Sequence, residues 1–172
     1  MKIGLLSDTH GFLDPKVAEY FRDCDELWHA GDIGDLKVAE QLEHFKPLRA
    51  VFGNIDDKDI QIRYPEDLFF TCEGLSVWMT HIAGSPPRYK PRITKILKTK
   101  PPDILVCGHS HILKVGKDPA FNNMLFLNPG AAGNQGFHHM KTMLRFQIIG
   151  KEVKNMEVIE LGKRGYIPPA SP

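Results

Sequence analysis

Cysteine is scarce in this chain of 172 residues: Cys24, Cys72 and Cys107 are odd in number, far apart, and form no Cys-x-x-C pair. That argues against a disulfide framework and leaves reduced thiols, with Cys72 and Cys107 packed in strands. No apolar run approaches the roughly 20 residues of a membrane span. Neither sign of charge dominates. A formal net charge of +1 gives no extended nucleic-acid surface, so any anion recognition must be local. No signal peptide is visible, because Met1-Lys2-Ile3 runs directly into an apolar stretch, and a cytoplasmic location is expected. No repeat, low-complexity tract or internal domain boundary interrupts the chain.

What remains is an ordinary globular composition, 42% hydrophobic and 25% charged. We expect one domain over residues 1–161 and a proline-rich tail over 162–172. Apolar runs at 2–6, 26–29, 48–52, 68–72, 75–80 and 103–107 read as strands. Helices are expected at 15–23, 36–43 and 92–99, alternating with strands in the first half. The last third reads as strands at 112–116, 124–127, 142–149 and 152–160. The pattern argues an α/β sandwich of two sheets face to face with helices outside.

Five of these strands end in polar, metal-competent residues: Asp8-Thr9-His10, Gly31-Asp32, Gly53-Asn54, His81 and Gly108-His109-Ser110-His111. Ligands of open α/β sheets bind just beyond the carboxyl ends of strands, so these residues are expected to converge. Taken singly, each has a plainer explanation. Asp8 suits a loop cap, His10 an exposed loop histidine and Asn54 a turn. His29 is a hydrogen-bonded core histidine, a ligand or a donor to a ligand, and Asp35 is a helix N-cap or a support for the ligands. The proline-rich basic stretch 84–92 is either a solvated connector or a flap whose Arg88, Lys90 or Arg92 meets substrate phosphate. The Asn128-Pro129-Gly130 loop could bring backbone N–H groups near the site.

Together, Asp8, His10, Asp32, Asn54, His81, His109 and His111 supply two carboxylates, four imidazoles and one amide oxygen. One tetrahedral zinc cannot use so many. Two divalent ions sharing a carboxylate can, and a thiolate-free set favours Mn²⁺, Fe²⁺ or Zn²⁺. Two dications against two aspartates and a hydroxide leave about +1, suited to a phosphoester. In such sites, with ions roughly 3.5–4 Å apart, a bound hydroxide attacks phosphorus. A metallo-β-lactamase-like centre is excluded, because His109-Ser110-His111 continues as Ile112-Leu113 rather than x-Asp-His.

The order Asp8-x-His10, Gly31-Asp32-x-x-Asp35, Gly53-Asn54, His81, Gly108-His109-x-His111 resembles the calcineurin-like metallophosphoesterase superfamily. The short length and the Asn128-Pro129-Gly130 loop make it similar to the small bacterial and archaeal phosphodiesterase branch. The resemblance covers about residues 1 to 160 and implies a four-layer αββα sandwich of two mixed sheets. It implies that Asp8, His10, Asp32 and His111 hold one metal, and that Asp32 bridges to a second held with Asn54, His81 and His109. Mn²⁺ commonly supports activity in the family, with Zn²⁺, Fe²⁺ or Ni²⁺ as alternatives.

One position departs from the family. Many members carry His after the Asn of Gly-Asn, where this chain has Ile55. Loss of a general acid costs about 10²–10⁴-fold, most for poor leaving groups. The expectation is therefore a dimetal phosphodiesterase acting on a small or nucleotide-like substrate, unless His29, His138 or His139 substitutes. A phosphomonoesterase, or a binding scaffold resembling the retromer subunit of this fold, are the alternatives. The basic loop and the tail could each serve a partner subunit, which leaves a homo-oligomer open.

Overall fold

The computed structural model describes residues 1–165, and the proline-rich end from 166 onward lies outside the described residues. In chain order the elements are β1 (Lys2–Leu6), α1 (Lys16–Tyr20), β2 (Glu26–His29), α2 (Leu36–Phe45), β3 (Leu48–Ala50), α3 (Lys58–Arg63), β4 (Asp67–Cys72) and β5 (Leu75–Thr80). They continue as β6 (Gly84–Ser85), β7 (Arg88–Tyr89), α4 (Pro91–Thr99), β8 (Ile104–Val106), β9 (Leu113–Asp118), a short 3₁₀ turn, β10 (Met124–Pro129), β11 (Met140–Ile149) and β12 (Glu152–Lys163). One sheet has the order β12-β11-β1-β2-β3 and the other β4-β5-β8-β10-β9. Both are mixed. β1, β2 and β3 are parallel and β11 runs against β1; β5, β8 and β10 are parallel, flanked by antiparallel β4 and β9.

Three apolar interfaces separate four layers. Val17, Val38, Leu42 and Ile60 from the first three helices, with Phe21 just after α1, pack on Leu6, Leu27 and Met143 of the first sheet. Ile3, Leu5, Trp28 and Phe146 meet Val77, Met79, Ile104 and Val106 between the sheets. Ile93 and Leu97 of α4 cover Trp78, Leu105 and Phe126 on the far side. Strand alternation does this sorting: Leu5 points between the sheets and Leu6 toward the helices. The αββα sandwich expected from the sequence is the observed fold.

Boundaries moved in instructive places. β3 stops at Ala50: Val51 N–H still bonds His29 O at the end of β2, and Phe52 N–H turns away to Pro65 O. The basic stretch is not an open loop but contains the β6–β7 hairpin. Helix α3, absent from the sequence reading, is capped by Asp57, whose carboxylate accepts from Ile60 N–H at 3.1 Å. Only Ile60 in it is buried, too little apolar periodicity to announce a helix. β12 runs to Lys163, two residues into the expected tail.

The core also holds a charge pair. Lys141 Nζ lies 2.6 Å from Asp14 Oδ2, and both side chains are fully buried. Asp14 Oδ1 accepts from Lys16 N–H, so the carboxylate also fixes the start of α1. Removing one partner of such a pair typically costs about 3–5 kcal/mol, because the other charge is left in the interior. Lys141→Met is therefore expected to lower the unfolding free energy by about that much in urea titrations, and Asp14→Asn with Lys141→Met to recover most of it. A double variant no more stable than the single one would show that the pair's charge is not what matters.

Candidate metal centre

The strand ends bring their polar tips together because the two sheets stay hydrogen-bonded past their last strand residues. Asp8 N–H bonds Gly31 O at 3.0 Å and His10 N–H bonds Asp32 O at 3.0 Å, so the loops after β1 and β2 lie side by side. Gly108 N–H bonds His81 O at 3.1 Å and joins the loops after β5 and β8. Asp8 links the two sheets. Its buried carboxylate accepts from His109 N–H at 3.2 and 3.1 Å, and its carbonyl accepts from Gly133 N–H at 3.1 Å.

Six of the seven residues named from the sequence form two triads. Asp8, His10 and His111 make one and Asp32, His81 and His109 the other, each with its ligand atoms within 4.8 Å of one another. His111 Nε2 is 3.1 Å from Asp8 Oδ1. Asp32 faces both triads, with Oδ2 at 3.5 Å from His10 Nε2 and Oδ1 at 3.2 Å from His81 Nε2. The seventh, Asn54, is exposed and stands at the rim, lining a small cavity of about 130 Å³ with His81 and Thr80.

The backbone is bent to achieve this. Asp8, His10, Asp32, His109 and His111 all have φ between +48° and +68°. Left-handed conformations in non-glycine residues cost of order 1–3 kcal/mol each and persist where the surroundings enforce them. Two glycines permit the close approach. A Cβ on Gly53 would lie 2.1 Å from Asp32 Oδ1, and one on Gly108 would lie 2.0 Å from Ser7 Oγ and 2.7 Å from Asp8 Oδ2.

The donor set fits divalent cations. Ala30 O, 2.7 Å from His81 Nδ1, can only accept, so it takes the proton there and leaves a lone pair on Nε2. That buried Nε2 has no hydrogen-bond partner among the described residues, and it is aimed at Asp32. Burial opposes charging His81, but Asp32 and Asp8 outweigh it and raise its pKa. Burial likewise opposes ionisation of Asp32, yet His81 and the Ile55 N–H hold its carboxyl below the usual range. The centre thus attracts positive charge, and oxygen and imidazole donors without thiolate suit Mn²⁺, Fe²⁺, Ni²⁺ or Zn²⁺.

Supporting residues surround the triads, and the sequence showed their roles poorly. Asp56, buried, accepts from Ile33 N–H (3.1 Å), Gly34 N–H (2.7 Å) and Gly53 N–H (2.7 Å), clamping the loop of Asp32 to that of Asn54. Its position three residues after Gly53 was the available signal. His138 Nε2 is 3.0 Å from Gly133 O and must donate there; its Nδ1 therefore accepts from His111 Nδ1 at 3.2 Å. This relay turns the His111 Nε2 lone pair toward Asp8. Burial, the largest influence, lowers the His138 pKa, in keeping with a neutral ring.

Other candidates lie elsewhere. His29 is fully buried, accepts from Gly31 N–H on Nδ1 and bonds Thr9 Oγ1 at 2.9 Å through Nε2; it braces two loops from behind. Asp35 caps α2 through Lys37 N–H. Arg92 is diverted from substrate by Asp67, Glu66 and Thr80. His139 is exposed, and its carbonyl accepts from Arg164 N–H.

Two outcomes are expected. His138→Ala should weaken binding of one of two metal ions by about 10–100-fold in calorimetric titration, while His138→Gln, able to accept and donate at the same points, should restore much of it. Equal affinities in wild type and His138→Ala would remove His138 from the site. Burial lowers the His29 pKa from 6.5 to about 4. The unfolded chain then binds the extra proton, so metal-stripped protein should lose up to about 1.4 kcal/mol of stability per pH unit between pH 6.5 and 4. Urea unfolding at several pH values should show a shallower slope in His29→Gln; an identical slope would contradict a neutral, buried His29.

Known proteins are similar to this chain in sequence and in fold. A probable metallophosphoesterase of Methanothermobacter thermautotrophicus is 29% identical over 136 residues, covering 76% of this chain and 77% of that one. A phosphodiesterase of Methanocaldococcus jannaschii is 29% identical over 146 residues, covering 76% of this chain and 83% of its own length. The crystal structure of Chaetomium thermophilum Vps29 superposes with a TM-score of 0.72 at 17% identity, over 93% of this chain and 96% of that one, which shows a shared fold. With residues 1–151 matching its domain, and two carboxylate–imidazole triads at the ends of its strands, this chain belongs to the calcineurin-like phosphoesterase superfamily.

Proposed function

We propose that the chain is a phosphodiesterase working with two divalent cations, Mn²⁺ foremost, on a small or nucleotide-like diester. The observation that carries this is the position of Asp32, with one carboxylate oxygen turned to each triad. Two cations, when bound, supply Lewis acidity toward phosphoryl oxygens and lower the pKa of water. Asp8, His10 and His111 would hold one; His81 and His109, with Asn54 at the rim, the other. The relatives named metallophosphoesterase and phosphodiesterase support the same chemistry.

Ile55 shapes the substrate. Its N–H donates to Asp32 Oδ1 at 3.1 Å, which fixes the residue at the edge of the site, and its half-exposed side chain has no proton to give. His138 cannot deliver one to a leaving group as placed, since both ring nitrogens are engaged behind His111. The leaving group must therefore depart without an acid, which favours diesters of acidic alcohols over monoesters of serine or sugars.

A binding scaffold is the second reading. Ile55, Ile112 and Phe137, at 45%, 65% and 99% exposure, each adjoin a site or supporting residue in sequence and offer apolar surface to a partner. Against it, no position of either triad has lost its ligand group.

Metal-stripped protein reloaded with Mn²⁺ is expected to cleave bis(para-nitrophenyl) phosphate faster than para-nitrophenyl phosphate. Asp32→Asn should reduce turnover by at least about 10²-fold, and Ile55→His should raise cleavage of diesters with poor leaving groups. Two bound metal ions without turnover of any diester would shift the assignment to the scaffold.

A further inference from the structure

The β6–β7 hairpin and the turn that carries His109 and His111 enclose a second cavity of about 420 Å³. Arg88, Lys90 and Lys114 line it, together with Ser85, Ser110 and Asn128, and no carboxylate does. Among the described residues none of the three cations is ion-paired. Three exposed cations around one cavity, with no carboxylate to neutralise them, create a local positive potential that attracts an anion.

Its walls are held in place. Lys114 Nζ donates to Pro86 O at 2.8 Å and so ties β9 to the hairpin. Asn128 Nδ2 donates to Gly108 O at 2.9 Å and to Ser110 Oγ at 3.1 Å, fixing the turn from behind. Ser110 Oγ also accepts from Ile112 N–H at 3.3 Å, and among the described residues no acceptor takes its proton. Its hydroxyl is left to donate into the cavity. Ser110 is the residue between His109 and His111, with its Cα about 3.8 Å from that of each. The cavity therefore adjoins the metal centre through a single turn.

We infer that this cavity is a subsite for a second phosphoryl group of the substrate. Arg88 and Lys90 supply its charge, Ser110 a neutral donor, and Lys114 charge as well as the position of the hairpin. The inference rests on the phosphodiesterase reading above and narrows it to diesters whose retained or leaving arm ends in a phosphate. Arg88 presents a fork matched to phosphate oxygens, while Lys90 acts as a point charge.

The test compares para-nitrophenyl ethyl phosphate with its analogue carrying a terminal phosphate on the ethyl arm, using Mn²⁺-loaded full-length chain. The phosphorylated diester should show a KM lower by about 10-fold, and the preference should collapse in Arg88→Ala/Lys90→Ala. Equal KM for the two diesters in wild type, or a preference that survives the double substitution, would overturn the subsite. A second readout does not need turnover. Inorganic phosphate titrated into metal-stripped protein should shift the backbone amide resonances of Ser110 and Asn128, and less so in the double variant. Those shifts without hydrolysis of either diester would sink the phosphodiesterase reading and keep the anion site; hydrolysis with no shifts and no preference would do the reverse.

Discussion

The Asp8 carboxylate is the constraint on which the rest depends. It is fully buried, and a charge in that position demands compensation on every side. One backbone N–H, from His109, meets both of its oxygens, and His111, His10 and His81 surround it at 3.1, 3.9 and 3.9 Å. These partners come from both sheets, so the carboxylate cannot be satisfied unless the sheets close on each other in register. The interior between the sheets is otherwise apolar, with Leu5, Trp28, Met79 and Val106 leading up to this edge. The sandwich thus supplies a dry wall on one side of the site and open solvent on the other. Charge interactions gain strength in such a setting, because little water competes with them.

The supporting contacts follow from the same demand. Asp56 gathers three N–H groups so that the loop bearing Asp32 cannot drift from the loop bearing Asn54. His138 fixes the ring of His111, and Ala30 O fixes that of His81. His29 does the corresponding work for the backbone, bonding Gly31 N–H and Thr9 Oγ1 while remaining neutral in the interior. None of these groups needs to touch substrate. Each removes a freedom that the triads would otherwise have, and such outer contacts commonly set metal affinity by one or two orders of magnitude.

The layered fold and the convergence of six of the seven candidate residues were legible because strand ends impose a simple rule: apolar run, then turn, then metal-competent side chain. Continuous apolar runs marked the strands, and Asp, His and Gly at their ends stood out against them. What was not legible depended on three-dimensional pairing. Arg92 is basic and lies beside a proline-rich loop, yet Asp67 and Glu66, from the start of β4, claim it. His138 was visible as a histidine, but only the fold puts its Nδ1 against that of His111. Nothing in residue type separates Asp56 from other aspartates of turns, since hydrogen bonds to backbone N–H groups leave no trace there. Helix α3 buries a single side chain, so periodicity had nothing to register.

Backbone strain bears on whether the site works or is merely inherited by the fold. Five of its residues lie in the left-handed region, each at a cost of order 1–3 kcal/mol, against a typical net stability of only about 5–15 kcal/mol for a domain. Among the other non-glycine residues with positive φ, Glu73, Asn122, Asn123 and Lys151 sit in turns between antiparallel strands, where the chain reversal requires that conformation, and Asn155 lies at the register shift of β12. No such reversal explains Asp8 or Asp32, each of which leaves a parallel strand. Their conformation turns carboxylates inward toward imidazoles. That geometry suits the holding of cations. Binding of two cations to the folded state alone would also return stability, by RT ln(1 + [M]/Kd) for each ion. The strain and the ligand set therefore explain each other: the chain accepts a distorted edge because the charge it concentrates there, once matched by metal, stabilises the closed sandwich.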